Sequence, residues 1–568
     1  MTKNKIFLYA LTACLTLLGT GCKKYLDVNQ DLNRPVAVPT GTLLTTAEAN
    51  LGSALTFNTD LSSGNNGLSG VLAVYMHQMS TRETSNQYGA KGSTVDAAWD
   101  LIFQQVLPDL NVIITQGTQE DNLIYVGIAK ILKAYTFSQA VDVWGDVPFS
   151  EFDKWKEGLR QPKFDDDATI YPELIKMLDE GIANIRSTAS KNLLKPAAND
   201  VIYKGVTARW IKAANTIKLK LYTQLRRVQA VGPQVTALLS KPDSLINSNA
   251  EMFAVPFGPL GATDDRNGAF SDYIATQRSD HVSPWFYEIL KGYNPDINTG
   301  IKDPRLPYYI FNQIKKTAAA QNNTEYRDSA FVSIYFGSTG QFRDGNQQNS
   351  ISLFGIYPAG GRYDDGNGAG STGADAGSGT GAAPYKLITY ADRLYLEAEL
   401  ISAGVITGDA KAVFKKAMEA SMSQVDYIIS TYVKPTQTVP VLATQAAATA
   451  YIDAVLAKYD AGDAAKKLEY IMTQKWLASV GSSVDQYTDY RRTNYPVLFD
   501  PRNPAMAPGG RVQPPLNGNP FVVPQGSVPV VLSVNFPASL PWSQNELDLN
   551  SSAPDQKAPD TYKVFWQP

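Results

Sequence analysis

The sequence contains only two cysteines and two histidines among its 568 residues. Cys14 lies in an apolar N-terminal stretch, so a chain cleaved after Gly21 keeps Cys22 alone and can form no internal disulfide. His77 and His281 are too few and too far apart to build a His/Cys zinc cluster within one segment. A Gly-x-Ser-x-Gly elbow, which would hold a nucleophilic serine, is also absent from the sequence. We therefore expect no cofactor and no metal, and a stability that comes from packing.

Long apolar runs and an excess of basic residues are missing as well. Beyond the N-terminus, no stretch approaches the ~20 apolar residues of a membrane-spanning helix. The formal net charge is −3, and removal of residues 1–21 takes away two lysines and no acid. Because nucleic-acid binding requires a basic face that neutralises phosphates, this weakly acidic chain is not expected to have a nucleic-acid partner.

The N-terminus has the order of a secretory signal. Two lysines precede the apolar run Ile6–Leu18, and the small residues Gly19-Thr20-Gly21 follow it. Cys22 comes next, at the position of the acylated cysteine of bacterial lipoproteins, although Gly19 stands where those signals usually carry leucine. We expect residues 1–21 to be a lipoprotein signal peptide and Cys22 to be the lipid anchor. The alternative is a cleaved signal followed by an incidental cysteine.

Apolar residues spaced three to four apart predict two blocks of amphipathic helices. The first block covers residues 40–55, 121–145, 169–185 and 201–228, and the second covers 387–403, 409–430, 444–461 and 464–481. Short links favour antiparallel hairpins, because neither helix can bury its apolar stripe alone. The predicted fold class is mostly α, with tetratricopeptide-like helix pairs forming a right-handed superhelical scaffold, although no strict ~34-residue repeat is visible.

An irregular stretch separates the two helical blocks. Glycine, proline, asparagine, aspartate and aromatic residues dominate it, which predicts a loop-rich, ligand-binding insertion. The expected organisation is a signal peptide (1–21), N-terminal helical pairs (22–230), the variable insertion (231–385), C-terminal helical pairs (386–482) and a proline-rich wrapping tail (483–568). We expect residues 22–568 to form one integrated domain.

Aromatic residues provide the main signal for a binding site. The chain has 30 tyrosines and eight tryptophans, and many of them lie outside the helical stripes. Flat amphipathic rings stack on sugar faces or hold peptide side chains, although a single loop aromatic more often pins its loop onto the core. Aromatic and polar residues in these segments predict a cleft whose ligand contacts are Gln78, Arg82, Tyr88, Arg278 and Trp285.

Motifs along nearly the whole chain carry a resemblance to a known family. They are Trp144-Gly145-Asp146-Val147-Pro148-Phe149, Asp303-Pro304-Arg305-Leu306, Ala398-Glu399, Gln474-Lys475-Trp476 and, as the most specific, Asp489-Tyr490-Arg491-Arg492-Thr493-Asn494-Tyr495-Pro496. With these motifs the sequence resembles the SusD/RagB-like nutrient-binding outer-membrane lipoproteins of Bacteroidota. Most of the motifs are structural, and Arg491 or Arg492 is expected to pair with an acid such as Glu397 or Glu399.

The resemblance implies a lipid-anchored protein on the outer membrane that faces the cell exterior. It would capture an oligosaccharide or an oligopeptide, act as the lid subunit of a SusC-like TonB-dependent transporter, and catalyse nothing. One alternative is a lipid-anchored surface glycoside hydrolase or peptidase, since 54 acidic residues offer many carboxylate pairs. Another is a helical scaffold that binds only protein partners.

Overall fold

The computed structural model describes residues 38–57, 67–259, 264–275, 278–318, 326–344, 348–370, 372–500, 503, 506 and 530–568. The expected signal peptide and Cys22 lie outside these residues. Helices make up 52% of the structure, and the strands of the described residues pair two by two in short antiparallel ladders. The mostly helical fold class predicted from periodicity is confirmed.

The N-terminal half is a layer of paired helices. Its elements are α1 (Thr40–Leu55), α2 (Leu68–Tyr75), β1 (Met79–Thr81), α3 (Gly92–Asp100), α4 (Leu107–Gln119), α5 (Leu123–Trp144), β2 (Val147–Pro148), β3 (Phe164–Asp165), α6 (Asp167–Arg186), α7 (Thr207–Leu225) and α8 (Gly232–Leu239). A π-helical stretch, Leu101–Val106, joins α3 to α4. The helix predicted over 201–228 begins later, at Thr207.

The late start of α7 has a local cause. The carboxylate of Asp200 accepts hydrogen bonds from the backbone N–H groups of Tyr203 and Gly205, at 2.8 Å each. Gly205 has φ +79°, a left-handed conformation that a helix cannot contain. The side-chain oxygens of Asp200 thus hold residues 200–205 in a turn and delay the helix.

Helices α5 and α6 approach each other closely at a pair of glycines. A Cβ atom on Gly127 would lie 2.5 Å from the carbonyl oxygen of Gly181, and one on Gly181 would lie 2.9 Å from the carbonyl oxygen of Gly127. Two backbones can pass at this distance only where neither carries a side chain. The glycines therefore set the distance at which α5 and α6 pack against each other.

The insertion contains only short elements. They are β4 (Phe253–Val255), α9 (Ser271–Ile274), β5 (Asp280–Val282), α10 (Pro284–Lys291), α11 (Leu306–Tyr309), β6 (Ile310–Phe311), β7 (Tyr326–Asp328), β8 (Phe331–Ser333), α12 (Gln341–Asp344), β9 (Leu353–Phe354), α13 (Ile356–Ala359) and β10 (Tyr385–Ile388). The first strand, β4, pairs with the last, β10, so the insertion leaves and re-enters the scaffold at one place.

The C-terminal half repeats the pairing of helices. It consists of α14 (Tyr390–Ser402), α15 (Ala410–Ile428), α16 (Ala446–Ala461), α17 (Ala464–Ala478), α18 (Ser483–Thr493) and α19 (Gln544–Leu549). The helix predicted over 387–403 starts at Tyr390, because the Thr389 hydroxyl accepts the N–H of Asp392 at 3.0 Å and the Asp392 carboxylate accepts the N–H of Thr389 at 2.9 Å. This capping box separates α14 from strand β10.

A buried ionic cluster joins the two helical halves. Helix α7 packs against α14, and the carboxylate of Glu399 on α14 accepts hydrogen bonds from Arg226, at 2.6 Å, and from Arg492, at 2.7 and 3.0 Å. The predicted Arg492–Glu399 pair is therefore present. Arg491 instead donates to the backbone carbonyls of Asp142 and Ala538. The guanidinium of Arg491 thereby connects α18 to α5 and to the C-terminal tail.

The C-terminal tail packs along helix α5. The N–H of Leu540 donates to the carbonyl of Val143 at 2.9 Å. Trp566 is fully buried, and its indole N–H donates to the carboxylate of Asp142 at 3.2 Å. These contacts tie the last residues of the chain to the N-terminal half.

Candidate functional site

A two-stranded sheet connects the N-terminal half to the insertion. Strand β1 pairs with β5 in the register Met79↔Val282. The N–H of Arg82 donates to the carbonyl of Ser279 at 3.1 Å, and the N–H of Ser283 donates to the carbonyl of Gln78 at 3.0 Å. Segments about 200 residues apart, which carry the predicted contacts, are therefore neighbours in space. We call this place the β1–β5 junction.

Gln78 and Trp285 flank the junction and are buried. The amide of Gln78 donates to the carbonyl of Trp476 at 2.8 Å. Trp285 lies in α10 with its ring 5.7 Å from the ring of Phe499. Its indole N–H, also buried, has no hydrogen-bond partner among the residues that the structure describes. In this structure both side chains contribute to packing.

Tyr88 and Arg278 are also buried, whereas Arg82 is partly exposed. The Tyr88 hydroxyl lies 2.7 Å from Nε2 of His77. Burial lowers the pKa of His77 to about 3, so this histidine is neutral. The guanidinium of Arg278 donates to backbone carbonyls, among them that of Ala374 at 2.7 Å, and so holds the glycine-rich loop in place. The structure thus brings the predicted residues to one region, and their contact with a ligand stays a prediction.

The more open candidate is a cleft of about 320 Å³ within the insertion. Its walls come from α10, from the segment running through α11 and β6, from the β7–β8 hairpin and from the start of the glycine-rich loop. The lining residues are Tyr287, Lys291, Lys302, Leu306, Pro307, Ile310, Asn312, Lys316, Asp328, Ser329, Ala330, Phe331, Asp364, Asp365 and Gly366. We call it the insertion cleft.

Helix α10 places two of the functional groups of the insertion cleft. Pro284 occupies its first turn, and Gly292, with φ +73°, ends it in a left-handed cap. Tyr287 and Lys291 are four residues apart and therefore share one face of this two-turn helix. The ring of Tyr287 stacks on that of Phe331 at 3.8 Å, which fixes α10 against the β7–β8 hairpin.

The floor of the insertion cleft is a hydrogen-bonded carboxylate. Asp328 accepts the hydroxyl hydrogen of Tyr287 at 2.6 Å, and the ammonium of Lys291 lies 3.7 Å from the same oxygen. Burial raises the pKa of Asp328, and the contacts with Tyr287 and Lys291 oppose that rise. A ligand that reaches this floor meets a hydroxyl, a carboxylate and an ammonium group whose positions are already fixed.

The rim of the insertion cleft is charged on both sides. Lys302 and Lys316 are exposed, and neither forms an ion pair with a described residue. Asp364 accepts a hydrogen bond from the amide of Asn312 at 2.6 Å, and burial raises the pKa of Asp364. Asp365 is more exposed, and although burial pushes its pKa upward, the N–H of Asn367 and other donors lower it overall.

Three lysines and three aspartates balance each other around the cleft. A cleft that contains both hydrogen-bond donors and acceptors suits a ligand rich in hydroxyl or amide groups, such as an oligosaccharide or a peptide backbone. None of these six charged residues is among the ligand contacts predicted from the sequence. The available signal was the pair Tyr287 and Lys291 at helical spacing, between a proline and a glycine that bound a short helix.

Among the described residues, the acidic group compact enough to share a cation is Asp146, Asp166 and Asp167, whose oxygens lie within 4.8 Å of one another. Asp166 accepts the N–H of Ala168 at 2.9 Å and caps α6. Asp167 accepts the N–H of Phe565 at 2.9 Å and fastens the C-terminal tail. These hydrogen bonds account for the cluster as helix capping and tail packing.

The described part of the chain also contains no helix with the length and apolar character needed to cross a bilayer. The described residues form a stack of helix pairs with an irregular insertion that contains a charged cleft.

Comparison with known proteins identifies the family. Residues 32–514 match the SusD-like family described as "Starch-binding associating with outer membrane". The match spans most of the chain, so the protein belongs to this family. No curated protein matches the sequence significantly.

Solved structures share the fold. A SusD/RagB family protein from Bacteroides thetaiotaomicron is 20% identical, with a TM-score of 0.63 over 93% of this chain and 99% of that one. A SusD homologue from Bacteroides fragilis is 18% identical, with a TM-score of 0.62 over 94% and 99%. A structure described as a chitin-binding protein is 20% identical, with a TM-score of 0.61 over 90% and 94%. The predicted tetratricopeptide-like helical architecture and the family resemblance are confirmed.

Proposed function

We propose that this protein is a lipid-anchored nutrient-binding protein of the outer membrane that captures an oligosaccharide or an oligopeptide. The family match over residues 32–514 carries the proposal, because its description names starch binding and outer-membrane association. A similar structure described as a chitin-binding protein agrees with a glycan ligand. The insertion cleft, with its balanced donors and acceptors, supports a polar and uncharged ligand.

Capture is proposed to take place in the insertion cleft. Lys291 and Asp328 would contact ligand hydroxyl or amide groups at the floor, and Asp364 would accept hydrogen bonds at the rim. The predicted contacts Gln78, Arg82, Tyr88, Arg278 and Trp285 surround the β1–β5 junction, which helix α10 connects to the cleft through Trp285 and Tyr287. They are proposed as a second part of the binding surface.

The proposal includes a transport partner. Cys22 would carry the acyl chains, and the protein would face the cell exterior as the lid subunit of a SusC-like TonB-dependent transporter. A tether leaves the folded body free to swing and raises its effective concentration at the transporter mouth. A triacylated cysteine exceeds the two-signal threshold for stable anchoring.

Calorimetric titration of the purified protein tests the binding claim. The panel would contain α-linked glucose oligosaccharides, β-linked N-acetylglucosamine oligosaccharides and a mixed oligopeptide library. Lys291→Met and Asp328→Asn each remove one proposed contact, which is expected to weaken binding by about 10- to 100-fold. Lys415→Met, a change at a half-exposed lysine on α15, is the matched control and should bind like the wild type. Equal affinities for all of these proteins would exclude the cleft as the site.

Three further measurements test the remaining claims. Alanine at Tyr88 and at Trp285 reports on the junction, and unchanged affinity in both variants contradicts a role in ligand contact. Incubation of ligands with the protein, followed by product analysis, distinguishes capture from hydrolysis. Radioactive palmitate incorporation that disappears in Cys22→Ala, together with co-purification of a TonB-dependent transporter from outer membranes, tests the anchor and the lid role.

A further inference from the structure

The loop between α6 and α7, residues 187–206, exposes apolar side chains at the surface. Leu193 is 80% exposed and the adjacent Leu194 is 53% exposed, and Val206 near the end of the loop is 44% exposed. Leu193 is the most exposed of the large apolar residues in the described part of the chain. The two adjacent leucines form a small apolar patch on the protein surface, and exposed apolar patches mark sites of contact with a partner or a membrane.

Hydrogen bonds to the start of α5 fix this loop. The N–H of Leu194 donates to the side-chain oxygen of Asn122 at 3.0 Å. The N–H of Ile124 donates to the side-chain oxygen of Asn192 at 2.9 Å, and Asn192 itself is buried. The two leucines therefore lie exposed on a loop that is held in place, because hydrogen bonds fix the backbone of Leu194 and the side chain of Asn192.

The exposed charges of the loop are positive. Lys191, Lys195 and Lys204 are exposed, and the single acid of the loop, Asp200, is completely buried. The carboxylate of Asp200 accepts hydrogen bonds from backbone N–H groups and from the indole N–H of Trp210 at 2.7 Å, so it lies inside the loop and forms no surface group beside the lysines.

Two acids lie next to the loop, at the turn between α4 and α5. Glu120 accepts a hydrogen bond from the Asn122 amide at 3.0 Å, and Asp121 accepts the N–H of Lys191 at 2.9 Å. Against the three exposed lysines, these two acids leave an excess of one positive charge at the surface of the loop. Leucines flanked by lysines match the composition of segments that enter a lipid interface, where apolar side chains reach the acyl boundary and ammonium groups meet phosphates.

The chain enters α1 beside this loop. The side chain of Asn199 lies against Gly41, and the Thr45 hydroxyl donates to the Asn199 carbonyl at 2.7 Å. Val38, at the start of the described chain, is 38% exposed. The segment from Cys22 to Val38 spans at most roughly 55 Å when extended. An acyl chain on Cys22 would therefore keep the start of α1, and the loop beside it, within about 55 Å of the bilayer.

We propose that the α6–α7 loop is a membrane-docking element that inserts Leu193 and Leu194 into an anionic lipid surface while Lys191 and Lys195 contact its phosphates. The orientation relies on the proposed Cys22 anchor, whereas the affinity of the loop for lipid does not. Docking would add a second attachment to the acylated cysteine and would restrict the tilt of the protein over the membrane.

Vesicle binding by the non-acylated chain tests the docking element directly. Full-length mature protein carrying Cys22→Ala is mixed with vesicles of phosphatidylcholine containing about one third phosphatidylglycerol, and binding is measured by co-sedimentation. Leu193→Ser combined with Leu194→Ser should lower the partition coefficient at least about tenfold, since each leucine contributes buried apolar area. Leu549→Ser changes a leucine on α19 that is 77% exposed and should leave partitioning within about twofold. Equal partitioning by the double variant and the wild type overturns the proposal.

Site-specific fluorescence supplies a second readout that does not depend on the folding of the serine variant. The Cys22→Ala mature chain has no cysteine, so Leu193→Cys places one environment-sensitive dye in the loop. Its emission should shift to the blue on vesicles, and a dye at Val441→Cys, which is 56% exposed in the native chain, should not respond. No shift at position 193, or a shift seen only with a purified transporter, contradicts lipid docking. The ligand affinity measured in solution should be unchanged in the leucine variants. The proposal of lipid docking and the proposal of ligand binding can therefore fail independently.

Discussion

Replacement of Glu399 by alanine is the most informative perturbation of the scaffold. Its carboxylate is completely buried between Arg226 and Arg492, and the change leaves both guanidinium groups without their shared partner. Removal of one member of a buried ionic cluster costs about 3–5 kcal/mol, because the remaining charge stays desolvated. For a chain of this size we expect a decrease of about 3–10 °C in Tm, since the shift per kcal/mol becomes smaller as proteins become larger.

Thermal unfolding followed by circular dichroism at pH 7 measures the effect. Glu419→Ala is the matched control, because Glu419 is half-exposed and lies 3.7 Å from an equally exposed Lys415. Such surface pairs contribute roughly 0–1 kcal/mol. If the Glu399→Ala and Glu419→Ala proteins unfold at the same temperature, the ionic cluster around Glu399 does not stabilise the contact between the two helical halves. Glu399→Gln, which keeps the side-chain shape, should fall between them.

The pH dependence of this difference gives an independent check. Burial alone would raise the pKa of Glu399, but Arg492 and Arg226 outweigh it and hold the pKa at about 2. A carboxyl group with a depressed folded-state pKa stabilises the fold above its unfolded pKa and loses that contribution as the pH falls toward the folded value. The stability gap between wild type and Glu399→Ala should therefore narrow between about pH 4.5 and pH 2.

Three other substitutions have defined outcomes. Gly127→Ala places a methyl group 2.5 Å from the carbonyl oxygen of Gly181 and should lower the free energy of unfolding in urea by about 1–3 kcal/mol. An unchanged free energy of unfolding would contradict the close approach of α5 and α6. Burial raises the pKa of Asp167 to about 6, so the ionisation of Asp167 opposes folding as the pH rises from about 4 to 6. Asp167→Asn removes this charge and keeps an oxygen that can accept the N–H of Phe565, so it should raise Tm at pH 8 and not at pH 4. Trp566→Ala should cost about 3–5 kcal/mol and accelerate proteolysis of the C-terminal tail, whereas a protected tail would show that Trp566 does not fasten it.

The helices were predictable because their apolar stripes are local. The bounds predicted for α1 and α5 agree with the structure to within two residues. The errors have identifiable causes. Residues 201–206 carry helical spacing, but the Asp200 carboxylate binds their backbone in a turn. Residues 387 and 388 belong to β10, whose partner β4 lies about 130 residues earlier, and a pairing of that range leaves no periodic signal in sequence.

The candidate site was harder to predict than the scaffold. Gln78, Tyr88 and Trp285 were selected as polar or aromatic residues outside helical stripes, and the structure places all three in packed surroundings. The insertion cleft depends on the meeting of α10, the β7–β8 hairpin and the loop at Asp364, which no spacing along the chain encodes. Of these elements, only the helix that carries Lys291 could be predicted from the sequence, because a proline stands at its start and a glycine at its end.

The pairing of β4 with β10 has a consequence for how this protein can diversify. The two strands close the base of the insertion, and the helices on either side pack directly against each other through α7 and α14. Residues 256–384 are thus inserted at one place in the chain, although part of them is fixed to the scaffold, as where Arg305 donates to Gln474 of α17 at 3.1 Å. The loops among them that make no such contact can change in length without separating α7 from α14. Changes in these loops would alter the walls of the insertion cleft while the paired helices keep their arrangement.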